Sequence, residues 1–256
     1  MLGLFDSGLG GLTVLRRLRE ELPDADVLYF ADHAHSPYGD RSVENLTALL
    51  RSNVAWLDER GVDAIVMACN TSCSVASAYG WPPARARIFD LIEAAAEAVA
   101  QRALRHVAVI ATTATVRSGA YARAIAECVA GADVAEIAAP ALVPLIESAS
   151  TSPERLDAAV AAVCAQVPAS IEALVYGCTH YPLLDASFAR ILGADVMRID
   201  PALVQAQRVA RVARAEGFAD GSASTRYVTT GDLESFRERL TALTGTNPAS
   251  LSSSRA

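Results

Sequence analysis

The stretch VDAIVMACNTSCS, Val62 to Ser74, ends an apolar run on a cysteine, and IEALVYGCTHYPLL, Ile171 to Leu184, does the same. The two align residue for residue: Val62-Asp63-Ala64-Ile65-Val66-Met67-Ala68-Cys69 lies on Ile171-Glu172-Ala173-Leu174-Val175-Tyr176-Gly177-Cys178, and a short polar residue follows each, Asn70 or Thr179. A short apolar run bounded by polar residues is the pattern of a buried strand. The repeat reaches further back. Leu2-Gly3-Leu4-Phe5 runs into Asp6-Ser7-Gly8, and Val107-Ala108-Val109-Ile110 runs into a small-residue and hydroxyl loop, Ala111-Thr112-Thr113-Ala114-Thr115.

Outward from these stretches, apolar runs alternate with amphipathic ones. Ile88 to Ile92, Val134 to Ala138 and Tyr227 to Thr229 read as further strands, whereas Leu46, Leu49, Leu50, Val54 and Leu57 fall at helical spacing. Such alternation predicts an α/β protein with mostly parallel sheets. The internal repeat divides it into two pseudo-symmetric α/β lobes with the active site in the cleft between them. The first lobe is expected to span residues 1–92 plus 205–256 and to carry Cys69; the second, 93–204, carries Cys178. The serine-rich end from Asn247 to Ala256 is expected to fray.

Composition narrows the function. A net charge of −7 and scattered arginines argue against a nucleic-acid or anionic-membrane surface and favour a small-molecule substrate. No apolar run approaches the roughly 18 residues of a membrane span, and Asp6 interrupts the apolar start where a signal peptide would continue. A cytoplasmic location is expected. Five cysteines are an odd number for a disulfide framework, and the spacings Cys69-x3-Cys73 and Cys178-Thr179-His180 fit no metal pattern, so no metal is expected. The 256-residue sequence contains no lysine, which excludes a lysine Schiff base.

In parallel sheets ligands sit beyond the carboxyl ends of the strands, and both Cys69 and Cys178 fall there. A thiol at that position, followed by a helix start, meets unpaired backbone N–H groups that favour its thiolate. Thr71 and Ser72 read as caps of the helix after Cys69, and Pro182 as a first-turn residue after Cys178. Two facing thiols suit racemisation next to a carboxylate, in which one removes a proton from one face and the other returns one to the opposite face. Asp6 and Ser7 precede the glycines Gly8 to Gly11, whose amides suit a substrate carboxylate; Asp6 reads equally as an acidic cap on a helix from Leu12 to Glu21. His180 is placed to orient or protonate Cys178. Ser36 to Asp40 is a turn whose backbone can close over a ligand. Cys73, Cys128 and Cys164 are assigned to packing, and His33, His35 and His106 to the surface.

With these residues in hand, the chain resembles the glutamate racemases, cofactor-independent members of the aspartate/glutamate racemase superfamily. The marks are FDSGLGGLTVL (Phe5–Leu15), PYGDR (Pro37–Arg41), ACNTS (Ala68–Ser72), TVRSGAY (Thr115–Tyr121), VPLIE (Val143–Glu147), GCTHYPLL (Gly177–Leu184) and TTGDLESF (Thr229–Phe236). The resemblance implies that Cys69 and Cys178 are the acid/base thiols, that Asp6 and His180 assist them, and that Glu147 stands near the second. It implies substrate contacts from Asp6, Ser7, Tyr38, Gly39, Asn70, Thr71, Thr115, Thr179 and His180, no cofactor, a homodimer, and D-glutamate supply for peptidoglycan. Two segments depart from the family. Asp90 and then Ile92-Glu93-Ala94 stand where these enzymes usually carry a glycine and then Ile-x-Pro, and ADHAHS (Ala31–Ser36) stands where many have GDTARV. Asp90 or Glu93, facing the cleft, would repel an anionic side chain. A racemase for aspartate or a neutral amino acid, a decarboxylase on the same scaffold and a two-lobed binding protein are the alternatives.

Overall fold

The computed structural model describes residues 1–148, 150–245 and 247–254. Its strands are β1 (Leu2–Asp6), β2 (Val27–Ala31), β3 (Ala64–Met67), β4 (Arg87–Phe89), β5 (His106–Ala111), β6 (Asp133–Ala138), β7 (Ala173–Gly177), β8 (Met197–Ile199), β9 (Thr225–Thr229) and β10 (Leu251–Ser253). They form a six-stranded sheet, β10-β9-β2-β1-β3-β4, and a four-stranded sheet, β6-β5-β7-β8. Every strand pair is parallel. The orders β2-β1-β3-β4 and β6-β5-β7-β8 are the same, so β1 matches β5 and β3 matches β7. Each cysteine thus follows the third strand of its own lobe, and β9 and β10 extend only the first sheet.

The connections are α1 (Leu12–Glu21), α2 (Val43–Asp58), α3 (Asn70–Tyr79), α4 (Leu91–Gln101), α5 (Thr113–Ser118), α6 (Ala120–Cys128), α7 (Leu142–Glu147), α8 (Pro153–Cys164), α9 (Asp185–Leu192), α10 (Pro201–Glu216) and α11 (Leu233–Thr244). Parallel strands covered on both faces read as continuous apolar runs, and β1, β3 and β7 are buried throughout. In β5 the side chains alternate between two cores. Val107, Val109 and Ala111 pack with the first-sheet core and with α4, while Ala108 and Ile110 join Tyr176, Tyr181 and Phe188. The larger core therefore runs through both lobes, with α4 packed against α6 and α10. Among the described residues no helix is long and apolar enough to cross a membrane.

Four local expectations are corrected. The run from Ile88 to Ile92 is a strand only to Phe89, because the Asp90 side chain accepts from Ile92 N (2.6 Å) and Glu93 N (2.9 Å) and starts α4. Thr71 and Ser72 are not caps: α3 begins at Asn70, with Cys69 itself in extended conformation at the N-cap. The serine-rich end forms β10, paired in parallel with β9; Arg255 and Ala256 lie outside the described residues. Cys128 is exposed rather than packed, being the last residue of α6.

Candidate active site

The β1/β3 register sets one side of the site. Phe5 lies opposite Met67 and Ala68 N donates to Phe5 O (2.7 Å), so Asp6, Ser7 and Cys69 leave the sheet together. In the second lobe Ala111 lies opposite Gly177, and Thr112 leaves beside Cys178. These two strand ends line a single cavity of about 60 Å³, joined by Asn70 and Thr71 from the first turn of α3 and by Thr179 and His180. Tyr38 and Gly39 close it from the loop after β2. Both cysteines are buried free thiols.

Hydrogen bonds tie the lobes together around the cavity. Thr71 Oγ1 pairs with Thr112 Oγ1 at 3.0 Å, Thr13 Oγ1 donates to Thr179 O at 3.0 Å, Ala114 N donates to Gly39 O at 3.0 Å, and Tyr121 OH donates to Asn70 Oδ1. Gly10 is a glycine for a steric reason. A Cβ there would stand 2.5 Å from His180 Nδ1 and Thr179 Oγ1, so only a bare backbone lets the two lobes approach.

The surroundings of the two thiols differ. Cys69 donates to Ser7 Oγ at 3.5 Å. Burial, and then the Asp6 carboxylate, push the Cys69 thiol up to about 11, against the Ser72 and Ser7 hydroxyls and the Ser72 N–H. The Asp6 carboxylate accepts from Gly8 N (3.1 Å) and Gly11 N (2.9 Å). Those two amides are therefore engaged by Asp6 and are not left for a substrate; Asp6 does not cap α1 either, since Gly11 is that helix's N-cap and no side chain caps it. Burial raises the Asp6 pKa, opposed by His180 and by the loop amides.

Cys178 Sγ lies 3.7 Å from His180 Nδ1, and His180 Nε2 lies 2.9 Å from Glu147 Oε1. Burial opposes the imidazolium, but the contacts with Cys178 and Glu147 outweigh it and lift His180 to about 10. For Glu147 burial works upward, yet the His180 hydrogen bond and charge, with His33 and Arg239, leave it below the usual carboxylate value. Arg239, on α11, stands 3.6 Å from Glu147 Oε2. The order Cys178, His180, Glu147, Arg239 leads outward from the cavity.

The sequence-predicted residues do not all reach the cavity. Thr115 is fully buried behind Thr112, whose Oγ1 it meets at 3.0 Å, and does not line the site. Glu147 stands one residue out, on His180. Tyr38 lines the cavity, but its hydroxyl turns away to donate to Asp32 and accept from Asn53 Nδ2 (3.0 Å). Asp90 and Glu93 face elsewhere: Asp90 caps α4, and Glu93 pairs with Arg208 at 2.6 Å. His33 and His35 lie outside the lining, and His35 pairs with Asp32 at 2.8 Å. Thr112 was missed as a site residue, although the repeat sets its loop against Asp6-Ser7. Among the described residues no group of three or more His, Cys, Asp or Glu is placed to hold a metal ion.

Residues 11–209 match the family model described as Asp/Glu/Hydantoin racemase. The chain belongs to that family. Within the racemase family it is 40% identical to the glutamate racemase of Desulforudis audaxviator over 92% of this chain and 90% of the relative. A glutamate racemase isoform from Bacillus anthracis superposes with a TM-score of 0.90 at 28% identity, covering 98% of this chain and 96% of that one. A Francisella tularensis glutamate racemase in complex with D-glutamate gives a TM-score of 0.88 at 31% identity, covering 98% and 95%.

Proposed function

We propose that this racemase interconverts L- and D-glutamate by moving protons between substrate and two thiols, with no cofactor. The observation that carries the reading is the pair of buried thiols, each after the third strand of a matching lobe, on one cavity. The similarity to glutamate racemases along nearly the whole chain supports the substrate. Cys69 and Cys178 exchange the roles of base and acid according to the enantiomer bound. His180, bonded to Glu147, stands 3.7 Å from the Cys178 sulfur, ready to pass a proton to it or take one from it, while Cys69 donates to the Ser7 hydroxyl. Among the described residues no arginine lines the cavity. The substrate carboxylates therefore take neutral donors from Ser7, Thr71, Thr179 and the Asn70 NH2, whose Oδ1 is occupied by Tyr121, together with the charge of His180.

The same proposal includes a homodimer in the cytoplasm, supply of D-glutamate for peptidoglycan, and lobes of residues 1–92 plus 205–256 and 93–204. The family resemblance and the repeated strand order support these.

In heavy water, the product enantiomer should carry deuterium at Cα from the first turnovers, because the donating thiol has exchanged with solvent, and recovered substrate should carry little. Cys69→Ala and Cys178→Ala should each lower the rate by about a thousandfold or more while the circular dichroism spectrum stays unchanged, the scale of a lost acid or base. Early labelling of recovered substrate, or a folded single variant at full rate, would reject the two-thiol reading.

A further inference from the structure

The first turn of α3 holds a hydroxyl with nothing to bond. Ser72 is 1% exposed, and its Oγ is buried without a hydrogen-bond partner. Its neighbours are engaged: Ser74 Oγ donates to Thr71 O at 2.9 Å, and Thr71 Oγ1 meets Thr112 Oγ1 at 3.0 Å. A buried polar group left unpaired is disfavoured, so its position points to a partner that the resting thiol does not provide.

Cys69 is the N-cap of α3, and Ser72 is its third helical residue. An N-cap side chain points toward the backbone N–H of the second or third helical residue; Cys69 makes no capping hydrogen bond at rest, yet its sulfur stands close enough to Ser72 for that residue's hydroxyl and N–H to favour the thiolate. A neutral thiol is a weak acceptor, and the hydroxyl gains little by turning to it. A thiolate is a charged acceptor and makes much stronger bonds. The Ser7 hydroxyl also lies within hydrogen-bond distance of the sulfur, 3.5 Å away, and Asp6 opposes the charge.

We propose that Ser72 is a positioning residue acting through Cys69: its unpartnered hydroxyl rotates onto the Cys69 sulfur and donates to it once the thiol proton has left for solvent. The bond makes the thiolate form of Cys69 more populated near neutral pH and fixes the direction of its lone pairs. Burial and then the Asp6 charge raise this thiol to about 11, and a hydroxyl turned onto the ionised sulfur works against that rise. The proposal rests on Cys69 being one of the two acid/base thiols, but its test reads the thiol itself.

Alkylation of the full-length protein by iodoacetamide at about pH 8, followed peptide by peptide by mass spectrometry, gives separate rates for Cys69 and Cys178. A hydrogen bond to a charged group corresponds to about one pKa unit or more. In Ser72→Ala the Cys69 thiolate fraction should therefore fall about tenfold. The remaining thiolate is more nucleophilic, so alkylation should slow by roughly three- to fourfold, with Cys178 unchanged. Ser72→Thr, which retains the hydroxyl, should keep the unmodified Cys69 rate. An unchanged Cys69 rate in Ser72→Ala, an equal slowing of both cysteines, or an equal slowing in Ser72→Thr would overturn the proposal. If Cys69→Ala kept full racemisation while Ser72→Ala still slowed Cys69 alone, the two-thiol reading would fail and the contact would stand.

Discussion

At His180 a buried imidazole meets the Cys178 thiol on one side and the Glu147 carboxylate on the other, and the two contacts together outweigh burial and hold its charge. Its folded pKa, near 10, lies above the ordinary value of about 6.5. A raised pKa stabilises the fold fully below about pH 6.5, and the contribution fades as pH climbs toward 10. Glu147→Gln removes the anion, and breaking one side of a buried pair costs on the order of 3 kcal/mol. Thermal unfolding should therefore separate the variant from the parent by several degrees near pH 6, with the gap closing toward pH 10; a gap that widens with pH would contradict this account. The sequence made His180 readable through its closeness to Cys178. Glu147 was reachable only through family resemblance, because nothing local says that the end of α7 folds onto that ring. Arg239 gave no signal at all. Tyr38 shows the opposite failure: its position was legible, but its hydroxyl is claimed by Asp32, a partner no spacing rule names.

The entry of α4 shows how an element boundary carries electrostatic consequences. Ile88 to Ile92 is apolar enough for one strand, and periodicity alone cannot divide five residues between a strand end and a helix start. The division falls at Asp90 because its carboxylate binds two helix N–H groups. Burial, and then the neighbouring Glu93 charge, hold that carboxyl up at about 6, although the two amides and Arg208 pull it down. Here too the folded pKa is raised above 3.8, so the protonated form favours folding and ionisation above about pH 6 costs stability. Asn caps a helix about as well as Asp. Asp90→Asn should accordingly stabilise the protein at pH 7.5 by on the order of 1 kcal/mol, give no gain at pH 4, and leave the racemisation rate unaltered. A loss at pH 7.5 larger than at pH 4 would mean that the charge itself holds α4. β10 escaped the sequence reading for a simpler reason: Leu251-Ser252-Ser253 has one apolar residue, and its strand conformation comes from the free edge of β9.

For the molecule as a whole, the repeated strand order and the cysteine at each third strand were legible in the aligned stretches, and so was the cavity between the lobes. The fixing of one lobe on the other was not, because it depends on contacts between residues far apart in sequence. Thr112 sits at the centre of that fixing, meeting Thr71 across the cleft and Thr115 behind it, each at 3.0 Å. Thr112→Val keeps the shape and leaves both partner hydroxyls short of a bond, at a cost of about 1–3 kcal/mol. Because the two thiols belong to different lobes, the turnover rate should fall by more than tenfold, beyond what the stability loss alone explains. Full kcat in a destabilised Thr112→Val protein would show that other contacts hold the thiols in register.

The unlike surroundings of Cys69, beside Asp6, Ser7 and Ser72, and of Cys178, beside His180 and Glu147, have a kinetic meaning. Two mirror-image substrates have equal free energy in water, so their equilibrium constant is unity and kcat/KM must be equal in both directions at every pH. No difference between the thiols can favour one direction at low substrate. It can appear only in how deeply each enantiomer sits when bound: the enantiomer held more tightly will show the lower KM and, by the same factor, the lower kcat.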